Sequence, residues 1–271
     1  MRTGWTLAAV GGLIAVGYPG EAPWMIPAPT GAAVQQEQDF RWSGRIDAGK
    51  TLEIRGVNGE IRVERATGAE VEVVAHKSAR KSDPASVEIV VVPHDGGVTI
   101  CSVYPPANGR ENECEPGGGH NNVRDNDVEV DWTVKVPDAV KLGAYTVNGD
   151  VTVRDVGGEV HAATVNGDVD VSTRGVAEAS TVNGSIRAAL GKADWTGSME
   201  FTTVNGGITV EVPDGLNATV EASTVNGSIE TDFPITVQGR FGSRRLQGTI
   251  GSGGRDLELE TVNGSIRLVR G

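Results

Sequence analysis

Aromatic residues are scarce in this sequence: they make up only 4% of the 271 residues, with four Phe and three Tyr. A globular core built in layers normally uses more large side chains than this. Val, Ile, Thr and Gly take their place, and Gly alone reaches 38 residues. Such a composition favours many short β-strands joined by tight bends, and it predicts almost no helix in the body of the chain.

Basic residues are also in deficit. Lys and Arg together number 24 against 36 Asp and Glu, which gives a formal net charge of -12. A protein that binds nucleic acid presents a basic face to the phosphates. We therefore expect no nucleic-acid partner.

Long hydrophobic runs are missing except for one apolar stretch at residues 5–16, which follows the positively charged Arg2. This arrangement is typical of a secretory signal peptide, and we place it at residues 1–33, before a linker at 34–39. An uncleaved N-terminal anchor is the alternative. The stretch is too short to span a bilayer comfortably. We expect a secreted or periplasmic protein with no membrane span in the mature chain.

Cysteine occurs only twice, as Cys101 and Cys114. In an exported protein this pair predicts a local disulfide. Two unrelated thiols are the alternative. A zinc site is not indicated, because a second Cys pair at ligand spacing is missing.

One hexapeptide dominates the sequence. TVNGDV or a near copy begins at Thr146, Thr164, Thr181, Thr203, Thr224 and Thr261. An earlier copy, GVNGEI, begins at Gly56, and the last gap is about twice the others, which points to a degenerate copy with Gln247 in the Asn position. Repeats of about 20 residues are typical of β-solenoid coils. The sequence predicts an all-β, single-stranded parallel β-solenoid with Asn-Gly corners.

Asn-Gly is also the strongest two-residue hairpin signal, so a row of β-hairpins is the rival interpretation. In a hairpin, Val147 would lie opposite Asp150, and both faces would mix apolar and polar residues. If the chain instead bends and continues, Val147, Val151 and Val153 share one parity and point inward. Successive coils would then stack in parallel, about 4.8 Å apart.

Stacking of coils explains why identical residues recur, because each residue lies on its own copy in the next coil. Asn side chains at the corner then form a hydrogen-bonded ladder. Gly permits a corner with positive φ, and the Thr hydroxyl can pair between coils. The expected ladder consists of Asn148, Asn166, Asn183, Asn205, Asn226 and Asn263.

The β-solenoid domain is expected to span residues 40–271, with regular TVNG repeats over 141–271. Residues 104–127 are polar and rich in Gly and Asn, which predicts a loop that leaves the stack. Because a loop on a rigid scaffold often carries specificity, this loop or a flat β face is the expected binding surface.

The segments EIRGVNGEIRVE and VKVPDAVKL, followed by serial TVNGDV and TVNGSI copies, resemble the bacterial DUF4097 family over roughly residues 40–271. The resemblance implies a β-solenoid in the cell envelope and a role as an adhesin. Related domains look like sensory modules of membrane-stress systems. The family supplies no catalytic residues to carry over.

No motif in the chain predicts catalysis or cofactor binding. Asp150 and Asp168 occupy equivalent positions one coil apart, so they are weak Ca²⁺ candidates, although solvated corner residues are the simpler interpretation. Trp42, Trp132 and Trp195 are candidates for a sugar-binding face, or they plug a loop or an end of the stack.

We therefore expect a non-enzymatic adhesin or interaction module that binds an unidentified protein or glycan at the envelope. A polysaccharide-active enzyme is the first alternative, and it requires a cleft in which carboxylates and a basic residue converge. A structural or sensory element is the second alternative. In that case the last coil is expected to expose an edge that self-associates end to end, restrained by Arg267 and Arg270.

Overall fold

Strands account for nearly all regular structure in the computed structural model, which describes residues 38–107, 109–193, 195, 197–237 and 244–271. The predicted signal peptide at 1–33 lies outside these residues and stays a prediction. One 3-10 turn occurs at Pro84–Ser86. The strands are β1 (Gln38–Gly44), β2 (Thr51–Arg55), β3 (Ile61–Arg65), β4 (Val71–Ser78), β5 (Glu88–His94), β6 (Gly97–Val103), β7 (Glu129–Val136), β8 (Lys141–Tyr145), β9 (Val151–Val156), β10 (Val160–Ala163), β11 (Val169–Thr173), β12 (Ala177–Ser180), β13 (Ile186–Leu190), β14 (Ser198–Asn205), β15 (Ile208–Val212), β16 (Ala218–Asn226), β17 (Ile229–Thr231), β18 (Ile235–Val237), β19 (Arg245–Ile250), β20 (Asp256–Asn263) and β21 (Ile266–Arg270).

The strands form two large, mostly parallel sheets. Sheet A has ten strands in the order β1-β4-β7-β3-β9-β11-β13-β15-β21-β17. Sheet B has eleven strands in the order β18-β19-β16-β20-β14-β12-β10-β8-β2-β6-β5. Buried side chains from both sheets form one hydrophobic core, in which small aliphatic residues predominate.

Each Asn-Gly corner carries the chain from a strand of sheet B to a strand of sheet A. We call such a pair of strands, with its corner, a coil. The next coil pairs with it in parallel, so that Val160 lies beside Leu142 in sheet B and Val169 lies beside Val151 in sheet A. The chain does not reverse at Asn-Gly, and the hairpin interpretation is therefore wrong.

The predicted single-stranded solenoid is confirmed only as an all-β, mostly parallel architecture. Antiparallel strands lie at one end of sheet A and at both ends of sheet B. The coils also do not stack in chain order. The last coil, β20–β21, is inserted between β14–β15 and β16–β17. Arg267 and Arg270 therefore lie inside the stack rather than at its end, and the prediction that they guard a terminal edge is wrong.

The degenerate copy around Gln247 is also not a coil. It forms β19, which pairs antiparallel with β16 and places Gln247 opposite Glu221. The gap between Asn226 and Asn263 is long enough for one more coil, which is why the sequence predicted a coil there. The gap instead contains β19, which runs antiparallel to β16. Its role is to cover the edge of sheet B beyond the coil β16–β17.

The inward parity predicted for the Val of the motif is wrong. Thr146 is buried and Val147 is exposed, whereas Val151 and Val153 point inward as expected. In all six TVNG copies the Thr is buried and the Val is exposed. The corner shifts the alternation by one residue, because Thr146 and Val151 both point inward although they are five positions apart, and strict alternation would put them on opposite faces.

Close approach of the backbones explains the Gly at the corner. A Cβ added to Gly184 would lie 1.8 Å from the Gly167 carbonyl oxygen of the neighbouring coil, so no other residue fits there. Gly149 also adopts a positive φ of 148°. Contact between coils, more than positive φ, therefore requires this residue.

Within the part of the chain that the structure describes, no helix has the length and apolar character needed to cross a membrane.

The corner geometry predicts that Gly184→Ala destabilises the protein. The added Cβ collides with a backbone oxygen that cannot move without separating two coils, which is expected to cost about 3 kcal/mol. Urea denaturation measures the effect. Gly68→Ala is the matched control, because nothing lies within 4 Å of its Cβ position. Equal stability of the two variants would contradict the proposed contact.

Candidate interaction surface

The Asn residues of the corners form a continuous amide ladder along one edge of the stack. The side-chain NH2 of Asn166 donates to the side-chain oxygen of Asn148 at 2.8 Å, and every other rung repeats this distance. The ladder is as predicted, with Asn58 as an additional rung. Its order in space is Asn58, Asn148, Asn166, Asn183, Asn205, Asn263 and Asn226.

A second ladder lies inside the corner. The Thr164 hydroxyl donates to the Gly149 carbonyl oxygen at 2.9 Å, and the Thr203 hydroxyl donates to the Gly184 carbonyl oxygen at 2.9 Å. The other copies make the same bond. This bond explains why Thr rather than Val points inward, since a buried carbonyl oxygen needs a donor.

Because Thr points inward, the adjacent Val points outward and forms an apolar line beside the Asn ladder. Val225 is 56% exposed and the other five are 37–39% exposed. We call this line the Val stripe. In stack order it consists of Val147, Val165, Val182, Val204, Val262 and Val225.

The loop at 104–127 replaces the Asn-Gly corner between β6 and β7, and it lies over the beginning of the stripe. Val57 occupies the equivalent Val position in the coil β2–β3, but it is buried. It lines a small pocket together with Glu113, Gly118 and Gly119 of the loop. The exposed stripe therefore begins one coil later, at Val147.

Two connections hold the loop on the outer face of sheet B. Cys101 and Cys114 form the predicted disulfide, with their Cα atoms 5.7 Å apart. The Gly117 N–H donates to a carboxylate oxygen of Glu53 at 3.0 Å, and the same oxygen accepts from the Thr99 hydroxyl at 2.7 Å. Arg55 binds the other oxygen at 2.6 Å. Nothing in the sequence singled out Glu53, because Thr99 and Gly117 are distant from it in the chain.

Burial and hydrogen bonding act in opposite directions on Glu53. Burial alone raises its pKa, but the Gly117 N–H, Arg55 and Thr99 outweigh this effect and leave the pKa below its usual value of 4.5. Elsewhere at the loop, the Tyr104 hydroxyl donates to the Val128 carbonyl oxygen at 2.7 Å, and burial raises the pKa of Tyr104 to about 12.

The outer face of sheet B carries a line of carboxylates parallel to the Val stripe. Glu258 lies between Glu200 and Glu221 in register, and Glu178 precedes Ala179, which pairs with Phe201 next to Glu200. We call these four residues the Glu row. Glu260 lies between the row and the stripe, two residues before Val262. Sequence spacing could not show this line, because the insertion of β20 places Glu258 between its neighbours.

The two weak Ca²⁺ candidates use one oxygen each to bind backbone. Asp150 accepts from the Asp168 N–H at 2.8 Å, and Asp168 accepts from the Ser185 N–H at 2.8 Å. Among the described residues, no group of three or more His, Cys, Asp or Glu side chains has an arrangement that could hold a metal ion. Both residues thus act as connections between coils.

The three Trp residues that were candidates for a sugar-binding face do not form an exposed surface. Trp132 and Trp195 are buried, and Trp42 packs against the core near Gly44. Their role in the structure is therefore packing.

A cleft of about 490 Å³ lies at the ends of the sheet B strands away from the Asn ladder. Glu159 and Glu178 line it with Lys141, Lys192 and Arg255. Lys141 binds Glu159 at 2.7 Å and lowers the pKa of Glu159, and the Arg255 Nε donates to the Trp195 carbonyl oxygen at 2.8 Å. The cleft thus gathers both signs of charge, and Lys141 and Glu159 pair within it.

The described residues thus form a β protein of two mostly parallel sheets, in which the repeated Asn-Gly corners line up along one exposed edge. Residues 177–269 match the family model Toastrack DUF4097, which confirms the resemblance that the repeats indicated. The match covers about a third of the chain and includes β12 to β21.

Two solved structures are similar to this chain. A candidate cell adhesion protein from Clostridium sporogenes ATCC 15579 is 14% identical, with 87% of this chain and 100% of that chain covered at a TM-score of 0.45. A candidate adhesin from Bacteroides fragilis NCTC 9343 is 13% identical, with 85% and 97% covered at a TM-score of 0.37. None of the curated proteins matches the chain.

The order of the Asn ladder predicts unequal effects of two similar substitutions. Asn263→Ala removes two amide bonds and is expected to cost about 1–2 kcal/mol, whereas Asn226→Ala removes one and costs about half as much. Urea denaturation of both variants, with a double-mutant cycle against Asn205→Ala, measures the coupling. Coupling of Asn205 to Asn226 instead of Asn263 would show that the coils stack in chain order.

Glu53 predicts a pH-dependent contribution of the loop to stability. Because the folded-state pKa is lowered, the charged carboxylate stabilises the protein above pH 4.5, and this contribution is lost as the pH falls through the folded-state value. The difference in unfolding free energy between wild type and Glu53→Gln should therefore shrink between about pH 7 and about pH 3. Glu64→Gln, on the outer face of sheet A, is the control. A difference that stays constant over this range would contradict the role of Glu53.

Proposed function

We propose that the protein is a non-enzymatic interaction module of the adhesin type, built as a β-solenoid and exported to the bacterial cell envelope. The observation that carries this proposal is the Val stripe, which places six exposed apolar side chains in line on a polar surface. Contiguous apolar surface of this kind commonly marks a site of protein interaction.

Repetition of the motif by itself does not account for the stripe. The outward residue two positions before each Val differs in type from copy to copy: it is Tyr145, Ala163 or Glu260 in three of them. The position after the corner changes as well, from Asp150 to Ser185 and Gly207. Val is kept in all six TVNG copies although its side chain does not pack into the core. A contact outside the chain gives a physical reason for this difference.

Export is supported by the disulfide between Cys101 and Cys114, because such bonds persist in oxidising compartments. The predicted signal peptide points the same way. Both features are consistent with a secreted or periplasmic location, where an unidentified protein or glycan of the envelope is the expected partner.

A polysaccharide-active enzyme is the second candidate, and the cleft with Glu159, Glu178 and Arg255 is the observation that favours it. We rank it lower because Glu159 is already bound by Lys141 and His161. Depolymerisation of uronate or neutral glycans, tested with and without Ca²⁺ and lost in Glu159→Gln, would replace the interaction proposal with this one.

Retention of the purified full-length chain on envelope material from the source bacterium tests the proposal. We expect wild type to be retained and the double variant Val182→Lys, Val204→Lys to lose about tenfold in affinity, because the stripe is interrupted at its centre. Thr152→Lys with Thr209→Lys is the matched control, since it adds the same charge to the outer face of sheet A in place of the stripe.

A third variant, in which residues 105–126 are replaced by a short Gly-Ser linker, separates the loop from the stripe. Loss of retention in this variant alone would assign binding to the loop. If wild type is not retained, or if the stripe variant binds as well as wild type, the stripe is not the interaction surface.

A further inference from the structure

We propose that the Val stripe and the Glu row together bind a cationic amphipathic α-helix of a partner protein, which lies along the stack of coils. This inference rests on the proposed function and specifies the chemistry of its partner. The stripe receives the apolar side of the helix, and the row receives its basic side chains.

The spacing of the stripe suits a helix. Parallel strands place neighbouring Val residues about 4.8 Å apart. Side chains on one side of a helix recur every three to four residues, which is about 5.4 Å along its axis. Five such steps cover about 24 Å, the length of a helix of about 16 residues. In an extended strand the side chains of one face recur only about every 6.6 Å, so a bound strand would lose its match to the Val spacing within a few coils.

The Glu row supplies the charge that a basic helix requires. Its four carboxylates occupy adjacent strands, and Glu260 adds a fifth beside them. Among the residues described, Arg245 binds Glu221 at 3.0 Å and His161 binds Glu178 at 3.0 Å, while Glu200 accepts from the Thr202 hydroxyl at 2.8 Å. The row therefore keeps an excess of negative charge at its centre.

The electrostatic environment of Glu258 is consistent with this excess. Burial raises the pKa of Glu258, and the neighbouring carboxylates of Glu200, Glu221 and Glu260 raise it further. A cation placed over this position relieves the repulsion.

Stripe and row are separated by a distance that one helix can bridge. Val204 follows Glu200 by four residues of the same strand, which corresponds to about 13 Å. A helix with its side chains is about 10–12 Å across, and Lys side chains extend its reach. Between the two lines lies a shallow depression of about 210 Å³, lined by small residues such as Ala163 and Ser180.

Charge argues against other occupants of this surface. A second copy would bring its own Glu row, and each chain carries a net charge of -12. Nucleic acid and anionic lipid are repelled for the same reason.

A synthetic 18-residue peptide with Leu at helical spacing and Lys on its other side is the probe, titrated into the full-length chain by fluorescence anisotropy. We expect binding about tenfold tighter than that of the same peptide with Glu in place of Lys. Val182→Lys with Val204→Lys should weaken binding about tenfold. Glu200→Gln with Glu258→Gln should weaken it several-fold and reduce its salt dependence, whereas the matched pair Glu64→Gln with Glu211→Gln on sheet A should not.

Equal binding of a scrambled peptide with the same charge and no apolar side would overturn the inference, since attraction would then be electrostatic alone. A wild-type dimer that the Val182→Lys, Val204→Lys variant abolishes, seen by sedimentation, would show that a second copy occupies the stripe. Retention on envelope material without peptide binding overturns this inference and leaves the proposed function intact. Failure of both assays overturns both.

Discussion

The contact between corner backbones of neighbouring coils is the constraint on which the rest of the structure depends. At Gly184 a Cβ would lie 1.8 Å from the Gly167 carbonyl oxygen, so the backbones of the two coils leave no room for a side chain. This contact fixes the register, so that every residue of the motif lies on its own copy. The Asn ladder, the Thr hydroxyl bonds and the Val stripe are three results of that single alignment. A shift of one residue in the register between two coils would break the Asn and Thr hydrogen bonds and the alignment of the Val residues together.

The sequence predicts the all-β class, the parallel pairing and the Asn ladder, because these follow from local spacing and from the chemistry of Asn and Gly. It does not predict the order of the coils. The place of β20 between β14 and β16 depends on which surfaces fit when the whole chain is present, and no local pattern records it. The sequence also does not predict that β19 is antiparallel, because the alternation of apolar and polar residues in a strand is the same for parallel and antiparallel pairing.

The candidate surface was hidden from the sequence by one wrong assumption about parity. If Val147 pointed inward, the apolar residues of every repeat would all belong to the core, and the outer face would carry no apolar side chain. The hydroxyl of Thr146 decides otherwise, because the Gly59 carbonyl oxygen it meets at 3.1 Å needs a donor inside the corner. A polar requirement inside the corner thus determines which apolar residues face solvent. The disulfide, in contrast, follows from two Cys residues in a chain with no others.

The insertion of β20–β21 also has a consequence for the order in which the coils fold. Strand β16 is bonded to β19 and β20, and it reaches the earlier coils only through β20. The coil at β16–β17 therefore has no neighbouring coil to pair with until β20–β21 has joined the stack. Docking can follow chain order from β8 to β15, whereas β20–β21 must dock before β16–β17.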